Sequence, residues 1–276
     1  MDKTTALPVL PNERTIILDV LRGFALLGVI IANLEGFITF ALPEAQVQLM
    51  TDTVADKFIE NFLLLFVDNK FITIFSMLFG YGFGVVIERV AAKGINVNSF
   101  FTRRMLILLF FSLIHLCLWW GEILNVYASC GLLLLLFRKT SNKNLLIWAA
   151  VLLFICTTFV QALKIYLLPA NPPELDVLLT EYSNSLKGKN ILSIAQYNYK
   201  TVWFIFFERW SQYRDMCEVL AKFLFGYFIL RSGWLKDIQT NLHVFKKAWK
   251  ITLYIAVLYL AEQAAIYIFE YKISTK

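Results

Sequence analysis

At 276 residues, with 59% hydrophobic and only 17% charged positions and a mean hydropathy of +0.64, the chain lies outside the range of soluble domains, which run at roughly 45–50% apolar and about 25% charged. This composition excludes a water-soluble globular enzyme. The net charge of +6 reads as loop charge anchored at an anionic leaflet, and no basic, aromatic groove module points to nucleic acid.

A spanning helix needs about 20 mostly apolar residues. The pattern predicts an all-α polytopic transmembrane bundle of about seven such helices, near 16–40, 70–88, 105–120, 123–137, 145–168, 216–231 and 251–270. They form a single membrane domain over 1–276, with an extracytoplasmic loop and amphipathic segment at 169–215. The first fifteen residues are polar, so the first helix is expected to serve as its own insertion signal.

The first helix carries ionisable groups inside an apolar run, and such groups are costly in lipid and usually mark function. At about 100° per residue, Asp19 and Arg22 are neighbours on one face, and Asn33 returns to within roughly 20° of Arg22. A pair between Asp19 and Arg22 leaves guanidinium donors for a phosphate or carboxylate. The same pair equally serves helix packing and the membrane boundary. Asn33 can position a substrate but is no base at neutral pH.

In the second helix, small residues at 76, 80 and 84 and phenylalanines at 71, 75, 79 and 83 both repeat every four residues. The small series predicts a close-packing face, the phenylalanine series lipid or core contact. Lys70, at the outer end, is a candidate for neutralising an acidic group or receiving an anionic acceptor.

Arg103 and Arg104 stand just before the third helix, which holds His115, and Glu122 follows. His115 shares a face with Arg104, and with Glu122 too if helicity persists through Gly121. Histidine can take a proton from a hydroxyl or amine, and a carboxylate can hold its tautomer. A satisfied interhelical hydrogen-bonding histidine is the competing reading. His243 falls in a basic loop and reads as solvated.

Further on, Arg214, Glu218 and Lys222 stand at i, i+4, i+8, which allows a ladder of ion pairs beside a cavity or water layer. Tyr259, Glu262, Gln263 and Tyr267 give the last helix a polar face that must point into the bundle or toward another subunit. Cys117, Cys130, Cys156 and Cys217 are scattered without paired spacing, so neither a disulfide framework nor a metal site is expected.

Lysine and arginine mark cytoplasmic loops. They cluster at Lys3 and Arg14, at Arg89, Lys93, Arg103 and Arg104, at Arg138, Lys139 and Lys143, and from Arg231 to Lys250. The stretch from Glu35 to Lys70 is acidic on balance, with Glu44, Asp52, Asp56, Glu60 and Asp68. The N-terminus is therefore placed inside and the C-terminus outside.

The motifs Arg14-x4-Asp19-x2-Arg22-Gly23-Phe-Ala-Leu-Leu-Gly28, Lys70-Phe71-x4-Ser76-x2-Phe79-Gly80, Arg103-Arg104 and His115-x3-Trp119-x-Gly121-Glu122 resemble the bacterial YeiB family of membrane proteins. Leu124, Tyr127-Ala128, Gly131, Gly226 and Arg231-Ser-Gly233-Trp-Leu extend the resemblance. That family is in turn distantly similar to the heparan-alpha-glucosaminide N-acetyltransferases and the inner-membrane O-acyltransferases, through the Asp-x2-Arg-Gly opening.

The resemblance implies a multi-pass protein of the bacterial cytoplasmic membrane that takes an acyl group from cytosolic acyl-CoA and gives it to a sugar or lipid acceptor outside. It places Asp19, Arg22, Arg103 and Arg104 near the CoA phosphates, His115 as general base and Glu122 orienting it, with Asn33 and Lys70 toward the acceptor. The O-acyltransferases carry a histidine about where Asn33 stands. Family members usually continue through more helices, so the chain is expected to be a shortened relative, a truncated product or half of an assembly. A small-solute or lipid transporter, or a membrane scaffold that pairs with itself or a partner subunit, are the alternatives.

Overall fold

The computed structural model describes residues 16–39, 53–168, 173–188, 190–204, 210–235, 238–254 and 256–258. Among these residues the ordered elements are helices, with no strand. The chain divides into a larger unit ending at Arg231 and a smaller one beginning at Ser232.

The first helix, α1 (Ile16–Thr39), is followed by α2 (Val54–Phe66), within the stretch the charge pattern assigned to an acidic outer segment. A capping box nucleates it: Thr53 Oγ accepts from the Asp56 N–H at 3.2 Å, and the Asp56 carboxylate accepts from the Thr53 N–H at 3.2 Å. Asp56 therefore satisfies the start of a helix instead of marking a loop. A short turn follows in which Asn69 takes the left-handed conformation, φ 61°, tolerated by asparagine better than by most side chains. From it starts α3 (Lys70–Ala92).

Gly94, at φ 68°, closes α3, its N–H donating to the Ala91 carbonyl while the Ile95 N–H donates to that of Val90. Asn96 then caps α4 (Val97–Leu116) by accepting from the Ser99 N–H at 3.2 Å. This cap starts the helix well before the expected residue 105, so Arg103 and Arg104 lie inside it.

After a turn come α5 (Leu124–Leu134) and a tight 3₁₀ turn (Leu135–Phe137). Ser141 caps α6 (Asn142–Ala150), which runs through a π-helical segment (Val151–Cys156) into α7 (Thr157–Leu167). Next are α8 (Pro173–Lys187), α9 (Ile191–Trp203) and α10 (Ser211–Ser232). The second unit is helical at 242–254 and 256–258.

Four segments among the described residues are long and apolar enough to cross a membrane: Ile16–Leu34, Ala55–Ala92, Val97–Leu116 and Asn142–Leu167. Leu124–Phe137 is apolar but shorter. The expected span at 216–231 lies within α10, which carries Arg214, Asp215, Glu218 and Lys222. Most of the expected span at 251–270, including Tyr259, Glu262, Gln263 and Tyr267, lies outside the described residues, as do Lys3, Arg14 and Lys236.

The core forms where α3, α4, α5 and α10 meet. A Cβ built on Gly80 would lie 2.0 Å from the Phe223 carbonyl oxygen, and one on Gly226 only 1.9 Å from that of Met77. The small-residue face of α3 is thus the surface on which α10 packs, main chain against main chain. The phenylalanine series fills the adjoining space: Phe79 stacks on Phe223 at 4.4 Å, and Phe83 meets Phe101 and Tyr227 edge-on at 4.5 and 5.4 Å.

Buried Ser76 donates to the Ile72 carbonyl at 2.7 Å and lies 2.6 Å from the Tyr127 hydroxyl, which must then be the donor between them. Removing the two partners should not be equivalent. Tyr127→Phe leaves Ser76 still bonded and costs about 1 kcal/mol, whereas Ser76→Ala strands a buried phenol and costs nearer ~2 kcal/mol. Thermal unfolding of the two variants side by side checks this order.

Candidate functional site: polar cavities at both ends of the bundle

At one end, α1 passes close to α3 at Gly82. A Cβ there would lie 2.7 Å from Nη2 of Arg22, so the glycine makes room for the guanidinium. Arg22 Nη1 donates to Asp19 Oδ1 at 3.3 Å, with both side chains about half exposed. The remaining guanidinium edge reaches a cavity of about 330 Å³ lined by Phe75, Phe79, Gly82, Phe101 and Arg104 besides Arg22. The Arg104 guanidinium also stands over the Phe100 ring, 5.8 Å from its centre.

Asp19, Arg22 and Arg104 are thereby brought together. Arg103 is not: it lines a separate groove on the outward side of α4 with Asn98, Ser99 and Thr102, because successive residues on a helix point about 100° apart. The basic clusters of the larger unit nevertheless collect at this end. Arg138 donates to Asn98 Oδ1 at 2.9 Å, and Arg231 donates to the Thr140 carbonyl.

At the other end, Asn33 lines a cavity of about 330 Å³ with Asp68, Asn69, Phe71 and Ile72. A second cavity, of about 530 Å³, is lined by Asn69, Trp120, Glu122, Asp215, Glu218 and Lys222. The two share Asn69, Ile72, Gly121 and Ile123, and so form one two-lobed vestibule. The ladder read from spacing is formed on its wall: Lys222 Nζ lies 3.3 Å and Arg214 Nε 3.9 Å from the Glu218 carboxylate, and Arg214 also pairs with Asp215 at 3.2 Å. Burial raises the Asp215 carboxyl above the ordinary range, and the Arg214 guanidinium beside it offsets part of that effect.

His115 and Glu122 are not brought together. The α4 helix stops at Leu116, with the Leu118 and Trp119 N–H groups both donating to the His115 carbonyl, so helical register does not carry through Gly121. Glu122 is buried and fully engaged. Its Oε2 accepts from Ser112 Oγ at 2.8 Å and from the Asn125 N–H at 3.1 Å, and its Oε1 accepts from the Leu124 N–H. A carboxylate on the first N–H groups of α5 satisfies donors that have no partner within the helix. His115 is exposed, and among the described residues no hydrogen bond joins its ring to Glu122. Lys70 turns back to donate to the Leu64 carbonyl, in the last turn of α2, rather than facing the vestibule.

The charge pattern places Asp68 in the acidic stretch and Asp215 among the charged residues that enter α10, but spacing gives Asp68, Asn69, Trp120 and Asp215 no common site. The Asp-Asn pair between two apolar runs was a turn signal. Nothing in spacing showed that this turn faces α10.

Among the described residues no group of three or more His, Cys, Asp or Glu side chains is placed to hold a metal ion. Membrane-length apolar helices closed by a polar cavity at each end define a polytopic helical membrane protein. The chain is 41% identical over 160 residues to an uncharacterized 39.9 kDa protein in the amylase 3′ region of Bacillus acidopullulyticus, a match covering 58% of this chain and 44% of that protein. It is 39% identical over 170 residues to the uncharacterized protein YxaH of Bacillus subtilis, covering 56% and 42%. Against the uncharacterized protein YeiB of Escherichia coli it is 32% identical over 126 residues, covering 44% and 30%.

Over these 126 to 170 residues the chain is similar to YeiB and YxaH. Each match takes in less than half the length of the curated relative concerned. No family model and no solved structure matches it.

Proposed function

We propose that this chain forms the donor- and acceptor-binding part of an acyltransferase of the bacterial cytoplasmic membrane, which takes an acyl group from cytosolic acyl-CoA and passes it to a sugar or lipid acceptor on the far side. The observation that carries this reading is the placement of Arg22 and Arg104, from two different helices, on one partly aromatic cavity at the arginine-rich end. Enrichment in lysine and arginine marks the cytoplasmic side, and planar guanidinium forks suit phosphate oxygens. Phe75, Phe79 and Phe101 offer the apolar wall that the pantetheine arm needs, and Asp19 fixes the angle of Arg22.

In the reaction the acceptor hydroxyl or amine attacks the thioester carbonyl. A new bond to oxygen or nitrogen forms as the carbon–sulfur bond breaks, and the acceptor proton passes through a base to the departing thiolate. Of the carboxylates that line the vestibule, Asp215 suits that role, since Glu122 is taken up by the start of α5 and Glu218 is paired with Lys222. His115 serves only an acceptor that approaches along the exposed side of α4. Asn33, Asp68 and Asn69 would orient the acceptor, so that positioning supplies much of the rate. The layer formed by Phe75, Phe79 and Tyr127 lies between the two ends and must open for the acyl group to meet its acceptor.

Calorimetric titration of acetyl-CoA against the full chain in lipid nanodiscs tests the reading. Saturable binding, weakened about tenfold or more in Arg22→Ala and in Arg104→Ala, is expected. Folded wild-type protein that does not bind acetyl-CoA would remove it. Cavities at both ends of one helix set favour a second reading, a solute path; such a protein moves its substrate in proteoliposomes without acyl-CoA.

A further inference from the structure

The groove that holds Arg103 has no part in the reading above. It measures about 570 Å³ and lies along one side of α4, lined by Asn98, Ser99, Thr102 and Arg103 and then by Leu106, Ile107 and Phe110. Its lining is therefore graded. A cationic, hydrogen-bonding end gives way to an apolar strip that climbs about 10 Å along the helix from Arg103 to Phe110. Leu106, Ile107 and Phe110 are each about half exposed, and α4 is one of the segments fit to span the bilayer.

A second guanidinium stands at the head of the groove, because Arg138 Nη1 holds Asn98 Oδ1 at 2.9 Å. The polar end lies at the arginine-rich end of the bundle, the side that lysine and arginine enrichment assigns to the cytoplasm. A strip that only faced acyl chains needs no guanidinium, and a soluble anion needs no apolar strip. Basic pockets at the cytoplasmic side of spanning helices suit anionic headgroups.

We propose that this groove binds an anionic phospholipid of the cytoplasmic leaflet, with its phosphate between Arg103 and Arg138 and one acyl chain along Leu106, Ile107 and Phe110. A zwitterionic lipid fits less well, since its own ammonium already compensates the phosphate. The site is distinct from the Arg22–Arg104 cavity, because Arg103 and Arg104 leave the helix in different directions.

Native mass spectrometry of the full chain in detergent, titrated with phosphatidylglycerol or phosphatidylcholine, tests this. Phosphatidylglycerol should bind saturably and about tenfold more tightly than phosphatidylcholine. Arg103→Gln should weaken it about tenfold and Phe110→Ala about threefold. Lys93→Gln removes the same charge at the same end but outside the groove, and should change nothing. Inorganic phosphate should not displace the lipid, and acetyl-CoA affinity should survive in Arg103→Gln.

Equal affinity for the two lipids would overturn the proposal. So would equal losses in Arg103→Gln and Lys93→Gln, which would mean diffuse surface charge, or displacement by inorganic phosphate, which would mean a soluble-anion site. Arg103 is exposed, so its replacement leaves the packing of α4 in place. Failure of this site leaves the acyl-CoA reading untouched, and failure of that reading leaves the lipid site standing.

Discussion

Gly226→Ala is expected to destabilise the bundle by about 3 kcal/mol or more, the upper end of what added core volume usually costs. The added methyl would fall 1.9 Å from the Met77 carbonyl oxygen. That atom belongs to the main chain of α3, so no side-chain rotation relieves the clash and the two helices must separate. Separation also opens the reciprocal contact at Gly80, where a Cβ would meet the Phe223 carbonyl at 2.0 Å, and the Phe79–Phe223 stack at 4.4 Å. Gly23→Ala is the control. A methyl there meets nothing within 4 Å, and alanine is the better helix former by about 1 kcal/mol, so stability should hold or rise slightly. Thermal unfolding in detergent distinguishes the two, and an unchanged midpoint in Gly226→Ala would contradict the close crossing of α3 and α10.

Glu122→Ala is expected to cost about 3 kcal/mol, because it strands the Leu124 and Asn125 N–H groups and the Ser112 hydroxyl in a buried setting, and hydrogen bonds to a charged group contribute roughly 1.5–3 kcal/mol each. Glu122→Gln keeps the shape and an acceptor oxygen, and should recover about half of the loss. The expected defect is one of folding. Per folded molecule, acetyl-CoA affinity should match wild type, since Glu122 and the Arg22–Arg104 cavity lie at opposite ends of the bundle. A Glu122→Ala protein of unchanged stability would contradict the capping role.

The parts of this fold legible in the sequence are those written in one-helix periodicity. The stripe joining Asp19 to Arg22 depends only on residues three apart, and the spacing of 76, 80 and 84 needs no partner to be recognised as a close-packing face. Arg22 is legible as an intramembrane cation and Arg104 as a cation of the inner loop, but their meeting depends on Gly82 letting α1 approach α3, which is a tertiary fact. The pairing of His115 with Glu122 failed for a local reason. It assumed a continuous helix, whereas the chain leaves α4 after Leu116 and spends the carboxylate on the start of α5. The α2 helix is hidden because its polar residues mimic loop composition, the apparent acidic loop residue Asp56 being the cap, while α8 and α9 fall in the 169–215 stretch legible only as a loop with an amphipathic segment. Arg103 and Arg104, read as one phosphate-binding pair, part company because neighbours on a helix cannot share a face.

The central claim is that Arg22 and Arg104 hold phosphate groups of acyl-CoA, and removing one phosphate from the ligand tests it most directly. Affinities of acetyl-CoA and of its dephospho form, which lacks the ribose phosphate, should be compared on wild type and on the double variant Arg22→Ala/Arg104→Ala in nanodiscs. The account predicts that wild type loses about tenfold on removal of that phosphate and that the double variant loses little more, the coupling expected of groups in contact. Equal losses in both proteins would place the phosphate elsewhere and contradict the assignment of the cavity.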